Sequence, residues 1–177
     1  MPTNFERIYD EHADALFAFV LNLTRSEADT RDVLQEIFQR VAARPAMLDG
    51  IREERAFLIR LAHNAAIDLM RRRAARERNH SAFADEAPLL FDHATNADEE
   101  NFRRALAEAL GSLPLEQRAV AHLKLWESAT FEQIAHALNI SPNTAASRYR
   151  YAIDKLRERL RPLYDEIKDL WTTSNNS

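Results

Sequence analysis

The chain contains no cysteine, so neither a disulfide framework nor a thiolate metal site is open to it. That usage fits a reducing cytoplasm. Glycine is nearly absent, with only Gly50 and Gly111, so a glycine-rich loop that cradles phosphate is excluded. Alternating runs of Val, Ile and Thr that would mark strands are missing as well. No apolar stretch approaches the roughly 18 residues of a membrane span. The opening residues MPTNFERIYDEH lack the basic-then-apolar order of a secretory signal. No membrane insertion is expected, and a cytoplasmic location is. Six histidines occur, none in an H-E-x-x-H pair. Asp10-Glu11-His12 reads as the solvated face of a first helix. No metal, cofactor or catalytic centre is expected.

What is present is helical. Hydrophobic residues make up 46% of the chain, enough for a folded core. Phe5, Ile8, Tyr9, Leu16, Phe17, Val20 and Leu23 keep helical spacing and predict a helix from about Asn4 to Leu23. Ser26 begins a capping arrangement for a second helix, with Asp29 in the acidic position, that stops near Pro45. A loop through Gly50 follows. A third helix runs from Glu54 or Arg55 to about Arg78. These three helices can close a bundle. Residues 79–100 show no sustained period. Helical pattern returns at Phe102, and Leu115 to Trp126 predicts another helix. Tyr164, Ile167, Leu170 and Trp171 suggest a short terminal helix, with residues 172–177 as a disordered tail. The expectation is an all-α chain of two small bundles (residues 1–80 and 102–171) joined by an acidic flexible linker over 81–101.

Charge is distributed unevenly. The formal net charge is −4, which alone argues against a nucleic-acid partner. Yet Arg55 to His80 carries seven arginines against two acids. Asn143 to Arg161 carries six Lys/Arg against two acids, and Ser81 to Asn101 carries six acids and no base. Two basic helices separated by an acidic connector outweigh the total as a signal.

Both basic segments have the chemistry of nucleic-acid contact. In FEQIAHALNISPNTAASRYRYAIDKLRERLR, Phe131, Ile134, Ala135 and Leu138 share one face. Asn139 breaks the pattern, and Ser141-Pro142 restarts it as N-cap and first helical residue. The new helix buries Ala145, Tyr149, Ala152, Ile153, Leu156 and Leu160. It offers Asn143, Thr144, Ser147, Arg148, Arg150 and Tyr151 on the other side, a set suited to the major groove of duplex DNA. A helical hairpin with a solvated basic face is the plain alternative. Upstream, Arg60, Asn64, Asp68 and Arg72 recur every four residues, with Arg71 and Arg73 broadening the stripe. Guanidinium groups can hold phosphates and Asn can meet a base edge; in isolation the stripe reads first as a solvated face with Arg at its C-terminal dipole, and the second basic module reverses that preference.

Taken in order, these segments resemble the extracytoplasmic function (ECF) sigma factors of bacterial RNA polymerase, over roughly Phe5 to Leu160. Asp32-Val33-Leu34-Gln35-Glu36-Ile37-Phe38-Gln39-Arg40-Val41 is similar to the family helix that contacts the polymerase clamp. Leu61-Ala62-His63-Asn64-Ala65-Ala66-Ile67-Asp68-Leu69-Met70-Arg71-Arg72 resembles the helix that reads the −10 element, with His63 where the family usually has Arg. Leu113-Pro114, Arg118, Ile134-Ala135, Ser147-Arg148 and Leu156 resemble the pattern of the domain that reads the −35 element, with Tyr151 in place of a common Arg. The resemblance implies a sigma factor that directs core polymerase to promoter DNA under an anti-sigma partner. It implies polymerase contacts at Asp32, Gln35, Glu36 and Phe38, although spacing equally allows Phe38 as pure core. It implies −10 contacts at Arg60, His63, Asn64, Asp68, Arg71 and Arg72, with base capture by the Arg44–Glu53 loop. Two other readings stand beside it. A helix-turn-helix regulator would bind duplex DNA without polymerase; an enzyme would need a catalytic histidine, and His63 reads more simply as a polar helix-surface residue. The linker is either a nucleic-acid mimic or a solubilising spacer.

Overall fold

The computed structural model describes residues 5–77 and 97–174, and the side chains within 5–76 and 99–165. It contains seven α-helices and no strand among the described residues: α1 (Phe5–Thr24), α2 (Glu27–Ala43), α3 (Glu54–Glu77), α4 (Ala97–Gly111), α5 (Leu115–Leu125), α6 (Phe131–Leu138) and α7 (Pro142–Ser174). A 3-10 turn, Pro45–Leu48, sits between α2 and α3. The expected flexible linker lies mostly outside the described residues.

Helices α1, α2 and α3 form the first bundle. Ile8, Leu16, Phe19 and Leu23 meet Val33, Ile37 and Val41 of α2 and Leu58, Ala62 and Ala66 of α3, all essentially buried. Each of the Val, Leu, Ile and Phe side chains contributes roughly 1.5–3 kcal/mol by leaving water, and each alanine methyl less. The start of α2 is set locally: the Ser26 hydroxyl accepts from the Asp29 backbone N–H at 3.3 Å. Ser26→Ala should therefore cost about 1 kcal/mol, the usual value of an N-cap, readable as a lower midpoint in urea with an unchanged slope.

Helices α4 to α7 form the second bundle around Leu110, Leu113, Ala121, Ala152 and Leu156. Its turn between α6 and α7 follows from three side chains. Thr130 and Gln133 make a reciprocal capping box at the start of α6. Asn139 ends that helix in the left-handed region at φ 55°, a conformation its short amide tolerates. Ser141 then accepts from the Thr144 N–H at 3.0 Å and opens α7.

Two features differ from the sequence expectation. Helix α4 begins at Ala97, inside the acidic stretch assigned to the linker. Carboxylates favour a helix N-terminus, and Glu99–Arg103 and Glu100–Arg104 pair one turn apart. Helix α7 runs unbroken from Pro142 to Ser174 with Pro162 inside it, so the terminal segment continues that helix instead of forming a separate short one, and helix extends into the expected tail. Proline removes one helical N–H donor there, at an exposed position.

The bundles are not independent. One continuous cluster of buried side chains joins the first bundle to Val120 and Leu123 of α5, Ile134 and Leu138 of α6 and Ala145 of α7. Along this seam α1 packs on α5 and α3 packs on α6.

Candidate nucleic-acid and polymerase interfaces

Helix α3 presents its basic stripe in two parts. Asn64, Asp68, Arg71 and Arg72 are exposed, and Arg72 Nε donates to the Asp68 carbonyl at 3.2 Å. The upper part is covered. Arg60 donates to the backbone carbonyls of His136 and Ala137 at the end of α6. Those carbonyls have no helical partner of their own, so the guanidinium caps α6. His63 is only 6% exposed, which corrects its reading as a helix-surface residue. The second bundle covers it, with Glu116 of α5 and Arg148 of α7 close enough to act on its charge. Burial pushes the His63 imidazole below its ordinary value and Arg148 adds to this; the Asn64 hydrogen bond and Glu116 oppose it without prevailing.

The loop expected to capture a base has Gly50 at φ 75° with open space around it. Met47 is half-buried and Leu48 fully so. Glu53 faces His136 Nδ1 at 3.2 Å, and Arg55 pairs with Glu127. Both contacts tie this end of α3 to the second bundle.

On α7, Asn143, Arg150 and Tyr151 are exposed and Thr144, Ser147 and Arg148 are half-buried. Arg150 lies over the Tyr151 ring at 5.3 Å. Asn143, Ser147, Arg150, Asp154 and Arg157 line a shallow groove beside Phe131. Arg148 sits on the flank nearer α3.

The surface with apolar character is elsewhere. Phe5, Tyr9, Ala13, Phe17, Leu34, Gln35 and Phe38 line a groove between α1 and α2. Phe38 is 7% exposed and meets Phe5 edge-on at 6.2 Å and Tyr9 at 4.9 Å. It is at once core and groove floor. Asp32, Gln35 and Glu36 are exposed on α2, and Glu36 pairs with Arg40 at 2.8 Å.

One residue named above only as part of a family pattern organises the second bundle. Arg118 of α5 is buried, and its guanidinium donates to the carbonyls of Leu23 (3.0 Å), Asn22 (3.3 Å), Gly111 (2.9 Å) and Leu113 (2.8 Å). Burial lowers its pKa to about 10, with Arg25 assisting. The signal available was an arginine four residues after Pro114, followed directly by the apolar Ala119-Val120-Ala121. The carboxylates of Glu11 and Glu54 and the His12 ring come within 4.8 Å of one another, but Arg7 bridges both carboxylates at 2.6 and 2.8 Å. A cation there would have to displace a guanidinium. No described helix is long and apolar enough to cross a membrane.

Comparison with known proteins agrees with this arrangement. Residues 8–76 match the family model for sigma-70 region 2, and residues 109–158 match that for sigma-70 region 4. The ECF RNA polymerase sigma factor SigL of Mycobacterium tuberculosis is 36% identical over 88% of this chain and 88% of its own length. SigX of Bacillus subtilis, also an ECF sigma factor, is 27% identical over 96% and 90%. Among solved structures, the sigma factor RpoE of Bartonella quintana, crystallised with the anti-sigma factor NepR, superposes with a TM-score of 0.74. It covers 89% of this chain and 96% of its own at 21% identity, a likeness of fold. With both sigma-70 regions present in order, and a relative above one-third identity along nearly the whole chain, this protein belongs to the extracytoplasmic function sigma factors of bacterial RNA polymerase.

Proposed function

We propose that the three surfaces divide promoter recognition among them. The groove between α1 and α2, with Asp32, Gln35, Glu36 and Phe38, docks on core polymerase. On α3, Asn64 reads an unstacked base of the −10 element while Arg71 and Arg72 hold phosphates. Asp68 shares that face, and Arg60 and His63 extend it once uncovered. The Arg44–Glu53 loop walls the extruded base. Flipping a base costs a few kcal/mol, which several phosphate contacts offset. On α7, Asn143, Thr144, Ser147, Arg148, Arg150 and Tyr151 enter the major groove of the −35 duplex. The work is binding and placement, in the cytoplasm where polymerase acts, and no reaction is assigned to the chain itself.

One observation carries this reading. Seven arginines are already spent on carboxylates: Arg7, Arg31, Arg40, Arg55, Arg73, Arg103 and Arg104. Arg71, Arg72, Arg148 and Arg150 enter no salt bridge with a described residue, nor do the exposed Arg44 and Arg52 of the loop, Arg76 of α3 and Arg157, Arg159 and Arg161 of α7. Unpaired guanidinium groups on two helices are what a phosphate backbone requires. An anti-sigma partner, as RpoE has in NepR, would act by covering the α1–α2 groove.

The test is the salt dependence of promoter binding by the chain assembled with core polymerase. Arg71→Ala and Arg72→Ala should each lower the slope of log affinity against log salt by about 1 and weaken binding to all promoters alike. Arg150→Ala should cost roughly 1–3 kcal/mol and relax preference within the −35 element. Unchanged slopes would remove these arginines from the DNA.

A further inference from the structure

We propose that the seam between the two bundles is a proton-operated latch, closed at neutral pH and opened by acid, that hides the upper half of the α3 strand-binding face. That the hidden face binds DNA rests on the function proposed above; the latch itself does not.

The seam is held by polar contacts that cross it. Arg60 of α3 caps α6, Arg55 pairs with Glu127, Arg118 reaches the α1 carbonyls, and Arg25 donates to the Ala107 carbonyl of α4. Yet the seam also buries polar atoms that no protein group satisfies. These include Nε2 of His63, Nε2 of His122, both amide atoms of Asn22 and Nε of Arg118. Native interiors contain few such atoms. All of them gain access to solvent when the bundles separate, so they weight the balance toward opening.

Two of those groups are histidines. His122 of α5 is 5% exposed, edge-on to Phe19 of α1 at 5.4 Å and stacked on Trp126 at 5.4 Å. Arg55 of α3 is the charged group that acts on it. An imidazolium there would sit among rings and beside a guanidinium. Arg148 of α7 and Glu116 of α5 both act on the buried His63, which has Asn64 as its hydrogen-bond partner. Burial outweighs the carboxylate. Both histidines are therefore held neutral in the closed form, His122 with its pKa lowered to about 4, whereas a solvated histidine titrates near 6.5. The preference for closure is complete above about pH 6.5 and declines as pH falls below it. The His136–Glu53 contact also crosses the seam, but both side chains are more than half exposed, so it contributes little. The apolar groove between α1 and α2 lies off the seam and stays accessible in the closed form.

The absence of cysteine makes the test direct. Asp10→Cys in α1 and Glu158→Cys in α7, both exposed, carry a donor and an acceptor dye without competing labels. Energy transfer in the full chain should fall between pH 7.5 and 5.5 while far-UV helicity holds. Regaining an ordinary pKa at His122 alone raises the open-to-closed ratio about tenfold over that interval. In the His63→Gln/His122→Gln variant the fall should vanish. His122→Phe, which fills the same aromatic site, replaces His122→Gln if helicity is lost. Transfer that is independent of pH overturns the proposal, as does a fall that persists in a folded double variant or one that tracks loss of helicity.

Discussion

Arg118→Ala should be the most damaging single substitution outside the apolar core, lowering stability by about 3–5 kcal/mol. The guanidinium serves four backbone carbonyls, drawn from the end of α1 and the turn between α4 and α5. Truncation leaves those acceptors buried without donors, and each orphaned group costs about 1–3 kcal/mol before relaxation. Arg118→Lys should recover only a small part. A lysine carries charge but cannot present the planar fork that reaches Leu23 and Leu113 together. Equilibrium denaturation in urea reads the effect. A loss under 1 kcal/mol would mean that water replaces the guanidinium and that the staple is dispensable.

The second large effect concerns polymerase. Asp32→Arg/Glu36→Arg reverses two exposed carboxylates beside the α1–α2 groove and should weaken affinity for core enzyme by at least about 30-fold, near 2 kcal/mol. Stability should stay within about 0.5 kcal/mol, because neither side chain is buried. The Glu36–Arg40 pair is half exposed on both sides and contributes little. Fluorescence anisotropy of labelled chain titrated with core enzyme measures the loss. Unchanged affinity would move the docking surface away from α2. Phe38→Ala is a less clean probe, since its ring is packed on Phe5 and Tyr9 and its removal disturbs the bundle as well as the groove.

Much of this molecule is legible in its sequence, for local reasons. The spacing of Phe5 to Leu23 and of Val33 to Val41 fixes α1 and α2, and Ser26, Asn139 and Ser141-Pro142 mark boundaries by backbone chemistry that acts within four residues. The Thr130–Gln133 capping box was equally readable from its Thr-x-x-Gln spacing. What local pattern does not encode is which helix lies against which. Arg60 has the spacing of a phosphate contact, and nothing nearby in sequence announces that the carbonyls of His136 and Ala137 occupy it. His63 stands on a polar stripe, yet the second bundle buries it. The acidic run before Phe102 misled for a related reason: the carboxylates that exclude a packed core also stabilise a helix N-terminus, and Glu99 and Glu100 do so in α4. The apolar spacing from Tyr164 to Trp171 suggested a separate helix, whereas α7 continues into it through Pro162, which sits at an exposed position.

Whether this chain confers promoter choice on bacterial core polymerase is decided by run-off transcription on genomic fragments. Core enzyme with the chain should start at discrete positions that core alone does not use, and Asp32→Arg/Glu36→Arg should abolish those starts. Equal transcription with and without the chain, at saturating protein and low salt, would contradict the account.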